Sequence, residues 1–306
     1  MEKVYPLKFT PFLRTMVWGG DKIKAYKGIA TDVPKIGESW EISSYPGMES
    51  YVSDGPLKGK TPTEVYGSEF PLLIKFIDAH DDLSIQVHPD DAMAKSLYGP
   101  QARGKTEMWY VISADPGATL YSGLSREISP EEYGHRVKDG SIVEVLQKHE
   151  VSAGDVFFLP AGRIHAICSG CFIAEIQQTS DYTYRIWDYN RPGLDGKPRA
   201  LHTELAKKAI DYTVYPDYRV HYTPCKNAPV ELVSCDFFVT TLYELDKPFR
   251  MASEDGWLVV MCLSGSGSVG GVPVKRGDTL MVPASPGGTE IVPLASMTLL
   301  TSRPGR

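Results

Sequence analysis

The chain is short of several features that would place it at once. Its 306 residues contain no apolar run near the ~18 that a membrane span needs. The opening MEKVYPLKF has no apolar core of a signal peptide, so a cytoplasmic protein without a membrane partner is expected. There is no excess of basic charge: 32 Lys and Arg against 38 Asp and Glu leave a net charge of -6, which argues against a nucleic-acid partner. Cysteines number five, an odd count that speaks against a complete disulfide framework. Cys168 and Cys171 have knuckle spacing across Ser169-Gly170, a two-residue hairpin turn, but no second C-x2-C pair exists to complete a zinc site. They read as structural thiols, and Cys225, Cys235 and Cys262 as small core residues. Long helical patterns are scarce. Glycine (28) and proline (23) are plentiful, and 42% of the chain is hydrophobic, which points to a turn-rich, β-rich protein with a sizeable core.

The most informative stretch is Ser84 to Val111, SIQVHPDDAMAKSLYGPQARGKTEMWYV. Ser84, Gln86 and His88 alternate with Ile85 and Val87, so a strand would carry the polar three on one face. Pro89 ends it, and Asp90-Asp91 can cap a short helix over Ala92 to Tyr98. A loop follows, and the chain re-enters a strand at Lys105, with Glu107 and Trp109 on one face and Met108 and Tyr110 on the other. Gln86, His88, Lys105 and Glu107 can therefore face one interior, which mixes imidazole, carboxylate and amide oxygen with a cation.

A second stretch, Gly154 to His165, reads G-x5-P-x-G-x2-H. Gly154-Asp155 is a turn, Val156 to Leu159 an apolar strand, and Pro160-Ala161-Gly162 a second turn that aims His165 at the start of the next strand. This is similar to the second motif of the cupin barrel. In the first cupin motif, Gln86-x-His88 stands for the usual His-x-His and Glu107 for the Glu. That substitution, followed by Ser180-Asp181-x3-Arg185, resembles the short bacterial branch of the type I phosphomannose isomerases over roughly residues 5 to 199.

The resemblance implies a metal held by Gln86, His88, Glu107 and His165. Zinc suits that N/O ligand mixture, and the same ligand types also admit iron and manganese. It implies a small phosphosugar substrate and interconversion of mannose 6-phosphate and fructose 6-phosphate through an enediol. That reaction needs a proton carrier, stabilisation of the enediolate and a phosphate anchor. By the resemblance Arg185 is catalytic, Asp181 is a candidate base or an orienter of Arg185, and Lys105 and Ser84 face substrate. The longer enzymes place a Thr-Pro-Lys run after the arginine; here Trp187-Asp188-Tyr189-Asn190-Arg191 stands instead, with Arg191 the nearest replacement anchor. Another metallo-cupin enzyme, such as a dioxygenase or an isomerase of another phosphosugar, and a non-catalytic sugar-binding cupin are the alternatives.

The expected architecture is mainly β: two cupin-type jelly-roll barrels, a metal-bearing one over residues 1–215 and one over 216–306 that lacks metal ligands. Thr61-Pro62-Thr63-Glu64 and Ser129-Pro130-Glu131-Glu132 read as capped helix starts. The second opens a helical insertion, about 127–150, with His135 and His149 on its surface. PLLIKF, 71–76, reads as a buried strand, and His80 as a solvated turn residue. Glu41, in the alternating run Gly37 to Ser43, reads as scaffold. A helix is expected from His202 to about Tyr212. Gly265 to Val269 reads as a hairpin. Gly277-Asp278-x4-Pro283 repeats the rhythm of Gly154-Asp155-x4-Pro160, but Ala284-Ser285 follow where a metal-bearing turn would continue, so the second barrel reads as structural.

Overall fold

Leu72–Asp78 and Cys171–Gln178 pair antiparallel along their length, and their alternation sorts side chains onto two faces. Ile74, Phe76, Ala174 and Ile176 point into one apolar core; Ile77 and Ile173 enter another, and Lys75 and Glu175 lie on that second face. A computed structural model describes residues 5–253 and 256–305. The architecture is mainly β, as the turn-rich composition implies.

Three sheets make up the fold. The first has six strands in the order Val156–Leu159, Glu107–Ala114, Cys171–Gln178, Leu72–Asp78, Ile36–Ile42, Phe12–Gly20. The second has five: Tyr184–Trp187, Ile85–Val87, His165–Ile167, Thr119–Leu124, Leu146–Glu150. Trp109 and Val111 of the first share a core with Leu120 and Ile167 of the second, so the two sheets face each other as in a double-sheet jelly roll. They remain separate sheets, and their ladders do not close into one continuous barrel. The third sheet has nine strands, mostly from the C-terminal part, and includes Leu7–Thr10 and Tyr51–Val52 from the N-terminal part. Its apolar side meets the outer face of the six-stranded sheet in a core that runs from Leu7 through Phe76 and Phe172 to Phe238 and Leu300.

The helix starts follow their capping chemistry. Thr61 accepts from the Glu64 amide while Glu64 reaches back to the Thr61 amide, a complete capping box ahead of Pro62–Tyr66. Asp90 caps Asp91–Tyr98, and Ser129 caps Pro130–Asp139. The insertion differs from the expected helix over its last part. Gly140 ends the helix at φ 81°, one 3-10 turn follows, and His149 lies on the strand Leu146–Glu150. Its ring is half-buried, edge-on to Phe157 and Tyr218, because alternate residues of that strand turn inward.

Three other expectations are corrected. Ser169-Gly170 is not a hairpin turn: His165–Ile167 and Cys171–Gln178 belong to different sheets, and the turn carries the chain between them. Gly265 to Val269 is the end of one long strand, Leu258–Val269, whose reversal comes at Gly270-Gly271. Cys225 is exposed and Cys235 half-buried, so only Cys262 of that trio is a core residue; the five cysteines are free thiols.

The internal repeat is a repeat of one turn. Gly154 and Gly277 both adopt the left-handed backbone, φ 93° and 87°, which glycine tolerates without a Cβ clash. The aspartates that follow accept from the backbone amides three residues before them, Ser152 to Asp155 and Lys275 to Asp278, each at 3.0 Å. Strands Val156–Leu159 and Thr279–Val282 then leave the two turns.

Candidate metal and active site

The register of the two facing sheets builds the site. On the five-stranded sheet, Arg185, Gln86, His165 and Ser122 stand side by side on four neighbouring strands. On the six-stranded sheet, Trp40, Lys75, Glu175 and Trp109 form a matching row, and Glu107 pairs with Gln177 beside it. The Trp109 and His165 rings meet edge-on, 5.2 Å between centroids, and join the two rows. Residues 100 apart in sequence thus converge because each lies on the inward face of its strand.

His88, Glu107 and His165 form a buried cluster whose nearest ligand atoms all lie within 4.8 Å of one another. Each imidazole is oriented from behind. The Nδ1 of His88 is 2.9 Å from the Tyr182 carbonyl and that of His165 is 2.8 Å from the Arg163 carbonyl. A carbonyl only accepts, so each Nδ1 carries the proton and each Nε2 turns its lone pair toward Glu107, at 3.6 and 3.3 Å. The Gln86 amide lies 3.2 Å from His165 Nε2; turning it about its terminal bond places the oxygen there. Lys105 starts no strand, which begins at Glu107, but its ammonium still reaches the same interior, 3.0 Å from His88 Nε2 and in contact with Glu107 Oε2. Gly104 lets this segment approach the main chain at Asp90, where a Cβ would stand 2.6 Å from backbone atoms.

The donor set fits a divalent ion. Glu107 Oε1 is fully buried with no hydrogen-bond partner and faces the His165 Nε2, which carries no proton, while Oε2 takes the Lys105 contact and faces His88 Nε2. Burial, with the nearby Glu175 charge, raises Glu107 to about 7 despite Lys105, as expected of a carboxylate in want of a second cation. Burial and the Lys105 charge lower both histidines, His165 to about 3, so both are neutral at pH 7 and ready to ligate.

This sets a pH prediction for metal-free protein. The folded His165 sits far below its ordinary value of 6.5, so the unfolded chain binds the extra proton first. The stability its neutrality provides is complete above pH 6.5 and is lost as pH falls toward about 3. At pH 5 that loss is about 2 kcal/mol for His165, with His88 adding in the same direction. Glu107, raised to about 7, takes up its proton over the same range and offsets part of this loss. With both histidines acting against it, thermal melts of chelated protein between pH 7 and 5 should show a net fall in Tm that flattens in His165→Gln.

Above the cluster lies a cavity of about 180 Å³. Ser84, Gln86, Lys105, Asp181 and Arg185 line it. Arg191 does not: it sits on Asp188, beside a different depression formed with Asp81, Asp82 and Tyr189. The cavity also contains groups that the sequence reading passed over. Lys75 is buried and pairs with Glu175 at 3.0 Å, and it lies over the Trp40 ring at 4.9 Å. Glu175 accepts from Trp109 Nε1 at 2.9 Å, and against burial Lys75 and Lys105 hold its carboxyl down at about 2. Arg14 bridges Glu38 and Asp181 at 3.5 and 3.1 Å. Arg199 and His202 also line the cavity. A lysine inside the apolar run PLLIKF was the available signal for Lys75, because a buried lysine is rarely unpaired. Arg14 and Arg199 left no such signal in the sequence.

Comparison with known proteins agrees with this geometry. The sequence profile described as phosphomannose isomerase type I, catalytic domain, matches residues 7–107. The chain is 36% identical to a mannose-6-phosphate isomerase of Streptococcus mutans, over 91% of this chain and 92% of that protein. It is 31% identical to a mannose-6-phosphate isomerase of Bacillus subtilis, over 91% and 93%. A crystal structure of the mannose 6-phosphate isomerase from Bacillus subtilis superposes with a TM-score of 0.90 at 30% identity, covering 98% of this chain and all of that one.

Proposed function

The chain belongs to the type I phosphomannose isomerase family, and from that premise we propose that it is a divalent-metal-dependent aldose–ketose isomerase that interconverts mannose 6-phosphate and fructose 6-phosphate. The observation that carries the reading is the buried His88–Glu107–His165 cluster, with one Glu107 oxygen left without a hydrogen-bond partner against the lone pair of His165, beneath a cavity lined by Lys105, Asp181 and Arg185.

In this reading Gln86, His88, Glu107 and His165 hold the ion, and zinc suits their mixture of nitrogen and oxygen donors. The ion would supply Lewis-acid polarisation of the sugar oxygens at C1 and C2. The rest falls to the side chains. Lys105 and Asp181 are the two cavity groups that we assign to moving the proton between C1 and C2. Arg14 fixes Asp181 on one side, and Lys105 is fixed by His88 and Glu107. Arg185 stands next to Gln86 in the sheet register and lines the cavity, and we assign its guanidinium to stabilising the negative charge of the enediolate. Ser84, two residues before Gln86 on the same face, contacts substrate hydroxyls. The Lys75–Glu175 pair and the two tryptophans form a rigid wall that excludes water from this end.

The test is conversion of mannose 6-phosphate to fructose 6-phosphate by zinc-reconstituted protein, followed with an oxygen electrode in the same cell. Turnover without oxygen uptake is expected. Oxygen uptake without isomerisation would move the chain to a metallo-cupin dioxygenase.

A further inference from the structure

Building on the isomerase reading, we propose that Arg199, held in place by Asp188, anchors the phosphate of the sugar together with Arg185 and His202, and that Arg191 is not the anchor. The argument is a count of free donors. Asp188 is buried, and both its oxygens are occupied: Arg199 donates to them through Nε at 2.7 Å and Nη2 at 2.6 Å, and Arg191 through Nε and Nη2 to Oδ1. This two-pronged grip fixes the plane of the Arg199 guanidinium and leaves its Nη1 without a protein partner in that pair. Arg185 gives one Nη1 hydrogen to the Ala200 carbonyl, while its Nε is buried with no partner. His202 Nδ1 accepts from the Arg185 backbone amide at 3.2 Å, so the ring proton sits on Nε2 and is available to donate. All three side chains line the cavity, with His202 and the Ala200 carbonyl both in contact with Arg185, and Arg191 is absent from it.

The charges at this end support an anion. Arg199, Arg191 and Arg14 all bear on Arg185 with like charge, and Asp188 opposes them. The acids elsewhere in the cavity already have partners: Glu175 with Lys75, Asp181 with Arg14, and Glu38 with Arg14 and the Trp40 indole. The nearest uncompensated demand is therefore for a dianionic, multi-acceptor group, and a phosphate monoester supplies it. The placement also separates the two ends of the substrate, because Arg185 sits in register with the metal-side Gln86 and Arg199 lies beyond it on the following loop. Asp188 is a positioning residue here, acting only through the arginine it holds.

The experiment compares unmodified protein with Arg199→Met, Arg199→Lys, Asp188→Asn and Arg191→Met, reading KM for mannose 6-phosphate, kcat, and the inhibition constant of inorganic phosphate. Loss of a bidentate-capable arginine on phosphate should raise KM and the phosphate inhibition constant together in Arg199→Met, by roughly 10- to 100-fold. Asp188→Asn should shift both the same way by a smaller factor, with kcat changed far less. A merely structural Asp188 would lower kcat and Tm without moving the phosphate constant. If Arg199→Met fails to fold, Arg199→Lys, which keeps one charge but loses the fork, carries the same comparison. Arg191→Met that weakens phosphate while Arg199→Met does not would overturn the proposal. If no version turns over mannose 6-phosphate, the isomerase reading falls by itself. Calorimetric binding of inorganic phosphate to the metal-loaded protein then decides the subsite: loss in Arg199→Met upholds it, and equal binding sinks it.

Discussion

Replacing His165 with alanine should remove the bound metal and lower isomerase turnover by about a thousandfold or more. The expectation follows from how little else can serve. His165 sits at the centre of the register row, flanked by Gln86 and Ser122 and backed by the Arg163 carbonyl, with 1% of its surface exposed. Truncation leaves Glu107 facing one imidazole and the Lys105 ammonium. That ammonium would then neutralise the carboxylate, and the residual site would be a salt bridge. Chelation of the unmodified protein should reproduce the loss, and added zinc should reverse it there but not in His165→Ala. Metal content by atomic emission, read beside turnover, is the check. Full activity in a metal-free sample would refute the metal's role, however well the donors converge.

Arg185→Met should behave differently: metal retained, turnover reduced by about 10²- to 10³-fold, the usual loss when one donor to a developing oxyanion is removed. Because Arg185 also faces the proposed phosphate end, KM should rise in the same variant. The pattern to look for is a joint loss in kcat and kcat/KM at constant metal occupancy. Arg185→Lys restores charge but not the planar fork and should recover only part of the rate. If Arg185→Met kept its kcat and lost only substrate affinity, the arginine would be a binding group, and the enediolate would need another stabiliser.

Both predictions rest on parts of the site that the sequence makes legible to different degrees. The convergence of the candidate ligands was partly readable because strand periodicity places i and i+2 on one face, so Gln86-x-His88 announces its direction without any tertiary knowledge, whereas Lys105 precedes the strand Glu107–Ala114 and reaches the same interior from the loop. His165 was readable because a Pro-Ala-Gly turn precedes it. The mainly β character was readable from turn residues and short alternating runs. The wall opposite was not. Arg14 reaches Asp181 across 167 positions, and Lys75 reaches Glu175 through strand pairing that no local pattern encodes. Arg191 and Arg199 have similar local settings in the sequence and both are held by Asp188; only the course of the loop separates the one beside the cavity from the one outside it. The ends of the insertion were misread for a related reason: charged residues with helical spacing also suit an outer strand, and the Gly140 turn decided between them.

The N-terminal strand Leu7–Thr10 has a consequence for how the molecule is made. Leu7 pairs with Met281, and Lys8 with Leu280 and, through its side chain, with Asp278, 270 positions on. On the ribosome this strand emerges long before that partner exists, although Tyr51–Val52, which pairs with its other edge, follows soon after. Until Thr279–Val282 is synthesised, the strand has only the short ladder to Tyr51–Val52, with Phe9 against Val52, and its Leu7 end has no partner strand. The two facing sheets that carry the candidate metal ligands are complete by Tyr184–Trp187, so that cluster can take shape while the nine-stranded sheet still waits. Closing that sheet joins segments of very high sequence separation, which makes it the slow step and the one most open to misassembly. Nascent chains stalled before residue 279 should accordingly be the preferred clients of chaperones.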